Sequence, residues 1–266
     1  MLTKLYASIA ITESCNYSCP YCLADSGHGS AVADISKIVE IVRHLRSFAY
    51  DTKITITGGE PTCSPNLIEV MKEIHAMGSK VKLVTNGSLN DYRYIAPFAH
   101  EIDFSMHGLT PNEYHANTKH HNFNLVLNNI RHSLKYFPKT MVNIIPHKDN
   151  VHMIPKFCRD LELLGVRRIR FSELYMIGRG HTFQSKQLEQ HEVAHLKQEV
   201  IKHTSKMKRL IFMHDQRDLI VDNAFILFDT EGNCRTCNTV IPYGQWESLR
   251  QVIHKLYPAH CKLYNI

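Results

Sequence analysis

Short β-rich runs alternate with longer amphipathic stretches over the first two thirds of the chain, and this alternation restricts the fold more than any other feature. The runs at residues 5–11, 53–57, 80–85, 102–105, 140–145 and 168–172 have strand lengths and apolar, β-branched character. Between the first two, residues 35–48 place Ile35, Ile38, Val39, Val42 and Leu45 on one stripe at helical period. Residues 66–77 repeat the pattern with Leu67, Val70, Met71 and Ile74, and Gly78 marks the stop. Residues 123–137 and 151–164 read as two more helices, the second ended by Gly165. Repeated β-then-α units predict an α/β fold, with a parallel sheet whose helices cover the outer face.

Ligands of such sheets bind at the carboxyl ends of the strands, where the distinctive residues of this chain fall. After the first strand comes Cys15-Asn16-Tyr17-Ser18-Cys19-Pro20-Tyr21-Cys22, after the second Gly58-Gly59-Glu60-Pro61, after the third Asn86-Gly87, and after the fourth Met106-His107-Gly108. Three thiolates on one short loop suit three corners of an iron–sulfur cluster, where cysteine is the usual ligand. A closed cubane takes four protein ligands, so three leave one iron open for chemistry. Two alternatives are a structural zinc site completed by His28 and a ferredoxin-like electron carrier. Zinc leaves Gly58 to Pro61 unexplained, and a carrier has no need of the β/α units.

Eight cysteines, unevenly clustered in 266 residues, suit a metal site in a reducing compartment better than a disulfide framework. Hydrophobic content of 44% supports a sizeable core. No run reaches the roughly 18 apolar residues of a membrane span, and the N-terminal run carries Lys4 and leads straight into the cysteines. A cytoplasmic protein is expected, with neither a membrane nor nucleic acid as partner. A net charge of +6 permits an anionic substrate, and the basic stretch at 202–209 reads as a solvated face. Arg179, after the sixth strand, is the residue expected to contact such an anion, with a solvated loop residue as the alternative. Cys158 falls in a helical pattern and reads as core, and Cys63 as a small buried residue; the alternative for Cys63 is a hydrogen donor or adduct-forming thiol near the mouth.

Together the Cys-x3-Cys-x2-Cys run, with aromatic Tyr21 before its third cysteine, and Gly58-Gly59-Glu60-Pro61 resemble the two signatures of the radical S-adenosylmethionine (SAM) superfamily. The resemblance covers residues 5–180 and implies a partial (β/α)6 TIM-like barrel. It further implies a [4Fe–4S] cluster on Cys15, Cys19 and Cys22, with SAM chelating the open iron through its amino group and carboxylate. An electron from the cluster then cleaves SAM and releases a 5′-deoxyadenosyl radical that abstracts a substrate hydrogen. By the same likeness Gly58, Gly59 and Glu60 approach the methionine part of SAM and the Tyr21 backbone the adenine. Asn86, Ser105, His107 and Asn143 are the further SAM contacts expected from their positions at strand ends. A reductant such as flavodoxin or ferredoxin is the implied partner.

The pattern changes after about residue 185, so residues 1–185 read as the barrel core and 186–266 as a small α+β extension. A polar helix at 186–203 precedes runs at 210–213 and 224–228, and a helix at 246–256 follows. Gly232 and Cys237 resemble part of the SPASM/twitch extension, which holds auxiliary clusters in many peptide-modifying members of the superfamily. The likeness is truncated, because no cysteine falls in the 9–15 residues before Gly232. Cys234, Cys237 and Cys261 are thus a possible second site, for a cluster or zinc, or a remnant without metal; the absence of a second cluster is favoured. Three functions are compatible with the chain. The first is peptide modification of the maturase kind. The second is modification of a small metabolite or nucleotide, as in viperin, whose corresponding segment Thr85-Asn86-Gly87-Ser88-Leu89 resembles. The third is a non-catalytic iron–sulfur protein.

Overall fold

A computed structural model describes residues 2–89, 91–212, 226–236 and 240–263. Its centre is one sheet in which β1 (Leu2–Ala10), β2 (Ala49–Thr57), β3 (Lys80–Thr85), β4 (Glu101–Met106), β5 (Thr140–Ile144), β6 (Arg168–Phe171) and β7 (Arg209–Ile211) pair in sequence order, all parallel. On the other side of β1 lies β8 (Leu227–Phe228), also parallel, followed by antiparallel β9 (Cys234–Arg235) and β10 (Val240–Ile241). Residues beyond 185 therefore enter the same sheet at both of its edges. The run expected at 224–228 lies partly outside the described residues.

The helices form where the apolar stripes predict them. Helix α1 (Ile35–Phe48) starts at Asp34, whose carboxylate accepts from the Ser36 N–H at 2.7 Å, and buries Ile38, Ile41, Val42 and Leu45. Helix α2 (Leu67–Ala76) buries Leu67, Val70, Met71 and Ile74. Between β3 and β4 the connection is a set of turns that buries Tyr92, Ile95 and Ala99. Then follow α3 (Pro111–Thr118), which the periodicity does not announce, and α4 (Phe123–Ser133), shorter than the stripe by one turn. Helix α5 (Ile154–Leu164) ends at left-handed Gly165. Helix α6 (Gln190–His203) starts at a capping box between Glu189 and Glu192, four residues later than expected, after a 3-10 segment, Gly178–Lys186. The last helix, α7 (Trp246–Leu263), runs beyond the expected 256. No helix among the described residues is long and apolar enough to cross a membrane.

Strand alternation divides the sheet into two chemical faces. Ile54, Ile56, Val81, Leu83, Ile102, Phe104, Val142, Ile144, Ile169 and Phe171 are fully buried in the main hydrophobic core. The opposite face carries Lys82, Asp103, Ser105, Asn143 and Arg170. There Lys82 Nζ lies 2.5 Å from Asp103 Oδ2, and Arg170 approaches the same oxygen at 3.3 Å. Asp103 is 1% exposed. A charged face of this kind marks the lumen of a barrel rather than a helix-covered surface. The sheet curls accordingly: the loops after β1 and β6 touch although four strands lie between them.

Removing the shared carboxylate leaves Lys82 and Arg170 unneutralised in the lumen. Asp103→Ala is expected to cost about 3–5 kcal/mol, the scale for breaking a buried ion pair. Lys156→Ala, which removes an exposed pair with Asp160, should cost less than about 1 kcal/mol. Urea unfolding measures both, and equal losses would contradict a buried, carboxylate-centred lumen.

Candidate active site at the strand ends

The cysteine loop leaves β1 at Ile11 and returns through a single bridge between Thr12 and Val32. Cys19 is buried, while Cys15 and Cys22 are half-buried. Burial pushes the Cys15 thiol up to about 11 and the Cys19 thiol up to about 12, and neighbouring cysteines add to each shift. Buried thiols raised in this way need a cation to become thiolates, which a metal centre supplies. Among the described residues, no three or more His, Cys, Asp or Glu side chains converge on a single metal ion. A cluster binds its three cysteines at separate corners and does not require that convergence.

The loop after β2 presses directly on this backbone. Gly59 N donates to Thr12 O at 2.7 Å and Glu60 N to Ser14 O at 2.8 Å. A Cβ on Gly59 would lie 2.2 Å from Ser14 O, and one on Gly58, at φ +142°, would lie 2.4 Å from Thr12 O. Only glycine permits this approach. Both glycines thus pack directly against the cysteine loop itself.

Glu60 is 1% exposed and has four protein donors. Its Oε1 accepts from Thr62 N at 3.1 Å, Thr62 Oγ1 at 2.6 Å and Thr85 Oγ1 at 2.7 Å, and its Oε2 from Asn86 N at 2.6 Å. Burial raises its carboxyl above the usual range, and these donors oppose the shift. Glu60 therefore ties the second strand end to the third. Asn86 ties the third to the first: its Nδ2 donates to Asn16 Oδ1 at 2.8 Å while Asn16 Nδ2 donates to Ser88 Oγ at 2.8 Å.

The fourth and fifth strand ends complete the wall. Tyr21 is buried, and its hydroxyl donates to His107 O at 3.1 Å, which also accepts from Asn117 Nδ2 at 2.6 Å. Burial pushes His107 down to about 4, so its ring is neutral near pH 7. Ser105 and Asn143 sit side by side in register on β4 and β5. Asn143 Oδ1 accepts from Ser172 Oγ at 2.6 Å, which fixes the orientation of the amide.

Two expectations are corrected. Cys63 is exposed, because it ends a 3-10 turn whose buried member is Pro61. Arg179 is neither a free anion contact nor a solvated loop residue: its guanidinium donates to Cys19 O, Asp25 Oδ1 and Ser26 O. Cys158 is core as expected. Of the possible second site, Cys234 is 2% exposed within the hydrophobic core. Cys237 and the Cys261 side chain lie outside the described residues. Sequence reasoning missed Lys82, Asp103 and Arg170, although charges alternating with apolar residues in Glu101-Ile102-Asp103-Phe104 and Arg168-Ile169-Arg170-Phe171 signal a polar inner face.

A polar-lined partial barrel with three thiols at its mouth defines a cofactor-dependent β/α enzyme. Residues 9–161 match the radical SAM superfamily, and the chain belongs to that family. The family implies a [4Fe–4S] cluster and SAM, and the donor set of the cysteine loop fits the cluster. The GTP 3′,8-cyclase of Vibrio parahaemolyticus serotype O3:K6 is 27% identical over 65% of this chain and 55% of its own length. That of Vibrio vulnificus strain YJ016 is 28% identical over 71% of this chain and 58% of its own. The chain thus spans little more than half the length of these curated relatives. Among solved structures, anSMEcpe with bound AdoMet and the Cp18Cys peptide superposes with a TM-score of 0.70 at 13% identity, over 99% of this chain and 84% of that one. Streptococcus suis SuiB bound to its precursor peptide SuiA also gives 0.70, at 12% identity, over 88% and 59%. At such identity the likeness is one of fold.

The neutral His107 has a consequence for acid stability. An unfolded imidazole takes a proton as the pH falls below 6.5, whereas the folded ring does so only near 4. Proton uptake then favours the unfolded chain, so stability is lost as the pH falls from 6.5 towards 4. His107→Gln should flatten that part of the profile, seen as a shrinking stability difference from the parent in denaturant titrations. A difference independent of pH would contradict a half-buried, neutral ring.

Proposed function

We propose that this chain reductively cleaves SAM at a single [4Fe–4S] cluster held by Cys15, Cys19 and Cys22 and abstracts a hydrogen atom from a peptide substrate. The observation that carries the reaction is the clamping of a three-thiol loop by Gly58, Gly59 and Glu60 at the mouth of a polar lumen. When bound, the cluster and SAM supply the electron transfer and the carbon-centred radical chemistry. The protein supplies position and shielding. Glu60 and Asn86 hold the first three strand ends in one frame. Ser105 and Asn143 offer polar groups on the lumen side for the ribose or carboxylate of SAM. His107 adds a neutral polar ring there, and buried Tyr21 packs its edge against Phe183 at 5.6 Å to exclude water. Exposed Cys63 is the thiol placed to meet substrate at the rim.

A peptide substrate is supported by the superposition on anSMEcpe, which covers 99% of this chain. In this proposal 186–266 is a truncated SPASM/twitch-like extension without a second cluster, and Cys234 is a core thiol. A flavodoxin or ferredoxin is the proposed reductant. The second reading is a nucleotide substrate, favoured by the sequence similarity to the GTP 3′,8-cyclases.

Under anaerobic reduction with dithionite, the reconstituted protein should bind about four irons per chain and release 5′-deoxyadenosine from SAM. Cys15→Ala should reduce that release to background, and Cys63→Ser should preserve it. Product analysis measures both, and cleavage persisting in Cys15→Ala would sink the assignment. Acceleration by short candidate precursor peptides supports the first substrate class, and acceleration by GTP the second.

A further inference from the structure

We propose that Arg179 latches the loop after β6 onto the cysteine loop and is a positioning residue for the cluster. This rests on the assignment of the cluster to Cys15, Cys19 and Cys22. The 3-10 segment Gly178–Lys186 follows β6, which is separated from β1 by four strands and makes no ladder with it. Nevertheless the first turns of the segment are bonded to the cysteine loop through Arg179 and Thr182. Arg179 N donates to Cys22 O at 3.0 Å and Arg179 Nε to Cys19 O at 2.9 Å. Arg179 Nη1 donates to Asp25 Oδ1 at 2.7 Å and Ser26 O at 2.9 Å, with His28 Nε2 at 3.4 Å. Thr182 Oγ1 reaches Pro20 O at 3.4 Å.

Close packing accompanies these bonds. Gly178 has φ +57°, and a Cβ there would lie 2.5 Å from the carbonyl oxygens of both Cys22 and Leu23. Asp25, the anion that meets the guanidinium, itself sits in the left-handed region at φ 49°. The turn from Cys19 to Ser26 and the loop after β6 are therefore built against each other. The other clamps on this loop come from the strand ends after β2, β3 and β4. Arg179 acts from the loop after β6, a strand that does not pair with β1.

Two effects follow, and they are separable. The rigid fork holds the peptide carbonyl of Cys19 and that of Ser26 at once, which a lysine ammonium cannot reproduce while also meeting Asp25. The positive charge, with an Arg179 side chain only 21% exposed, favours addition of an electron to a nearby anionic cluster. Arg179→Lys retains the charge and loses the fork. Arg179→Met loses both.

The full chain and both variants are reconstituted anaerobically, and iron, midpoint potential and amide exchange over residues 19–26 are measured. Arg179→Met should retain iron but disfavour one-electron reduction about tenfold, a midpoint lower by about 59 mV. Arg179→Lys should keep a midpoint close to the parent. Both variants should raise amide exchange in that segment by about tenfold or more, with or without iron. An unchanged midpoint in Arg179→Met, or unchanged exchange in both variants, overturns the proposal. Should Arg179→Met fail to fold, exchange in iron-free Arg179→Lys decides the latch, and protection equal to the parent overturns it. If the parent protein itself takes up no iron, the cluster assignment has failed, while exchange in the iron-free proteins still tests the latch.

Discussion

The cysteine loop has almost no regular structure of its own, so its buried peptide groups must find partners on other parts of the chain. Those partners are the ends of the surrounding strands. Thr12 O and Ser14 O are met by the backbone after β2, Cys19 O and Cys22 O by Arg179 after β6. Asn16 is met by Asn86 after β3. The dependence is mutual, because the second and third loops are joined by Glu60, a buried carboxylate whose donors come from both. A loop held from several sides fixes three thiols without using helix or strand geometry.

The same clamping sets the electrostatics. Burial raises the Cys15 and Cys19 thiols and keeps His107 neutral, so the mouth disfavours isolated charge. Below it, Asp103 shares one oxygen between Lys82 and Arg170. Burial lowers Lys82 to about 8, against the pull of Asp103 in the other direction. The lumen is thus polar at its wall and charge-paired at its floor, while the main hydrophobic core of the strands lies on the helix side. This arrangement lets one sheet present a stable core outward and a reactive site inward.

Much of this was legible in the sequence. The stripe of α1 and α2 fixes which face packs, and the six runs fall on β1 to β6 with shifts of a few residues at their ends. Gly58 and Gly59 are recognisable as sites of close approach, although the neighbour that demands them, the Ser14 carbonyl, is not. Helix α3 was missed because only Tyr114 and Thr118 are buried and no stripe results. Arg179 was misjudged because an arginine in a loop gives no sign that carbonyls from 160 residues earlier converge on it. Cys63 was expected to be buried by residue type, and a three-residue turn around Pro61 directs it outward. Long-range hydrogen bonds to irregular backbone have no periodicity, and periodicity is what a single sequence displays best.

Electron paramagnetic resonance of the dithionite-reduced, reconstituted protein tests the central claim most directly. If the clamped thiols leave one iron open to SAM, adding SAM must alter the signal of the reduced [4Fe–4S] cluster, and that SAM-dependent change must vanish in Cys19→Ala. A cluster signal indifferent to SAM, or one that responds equally without Cys19, would contradict the account.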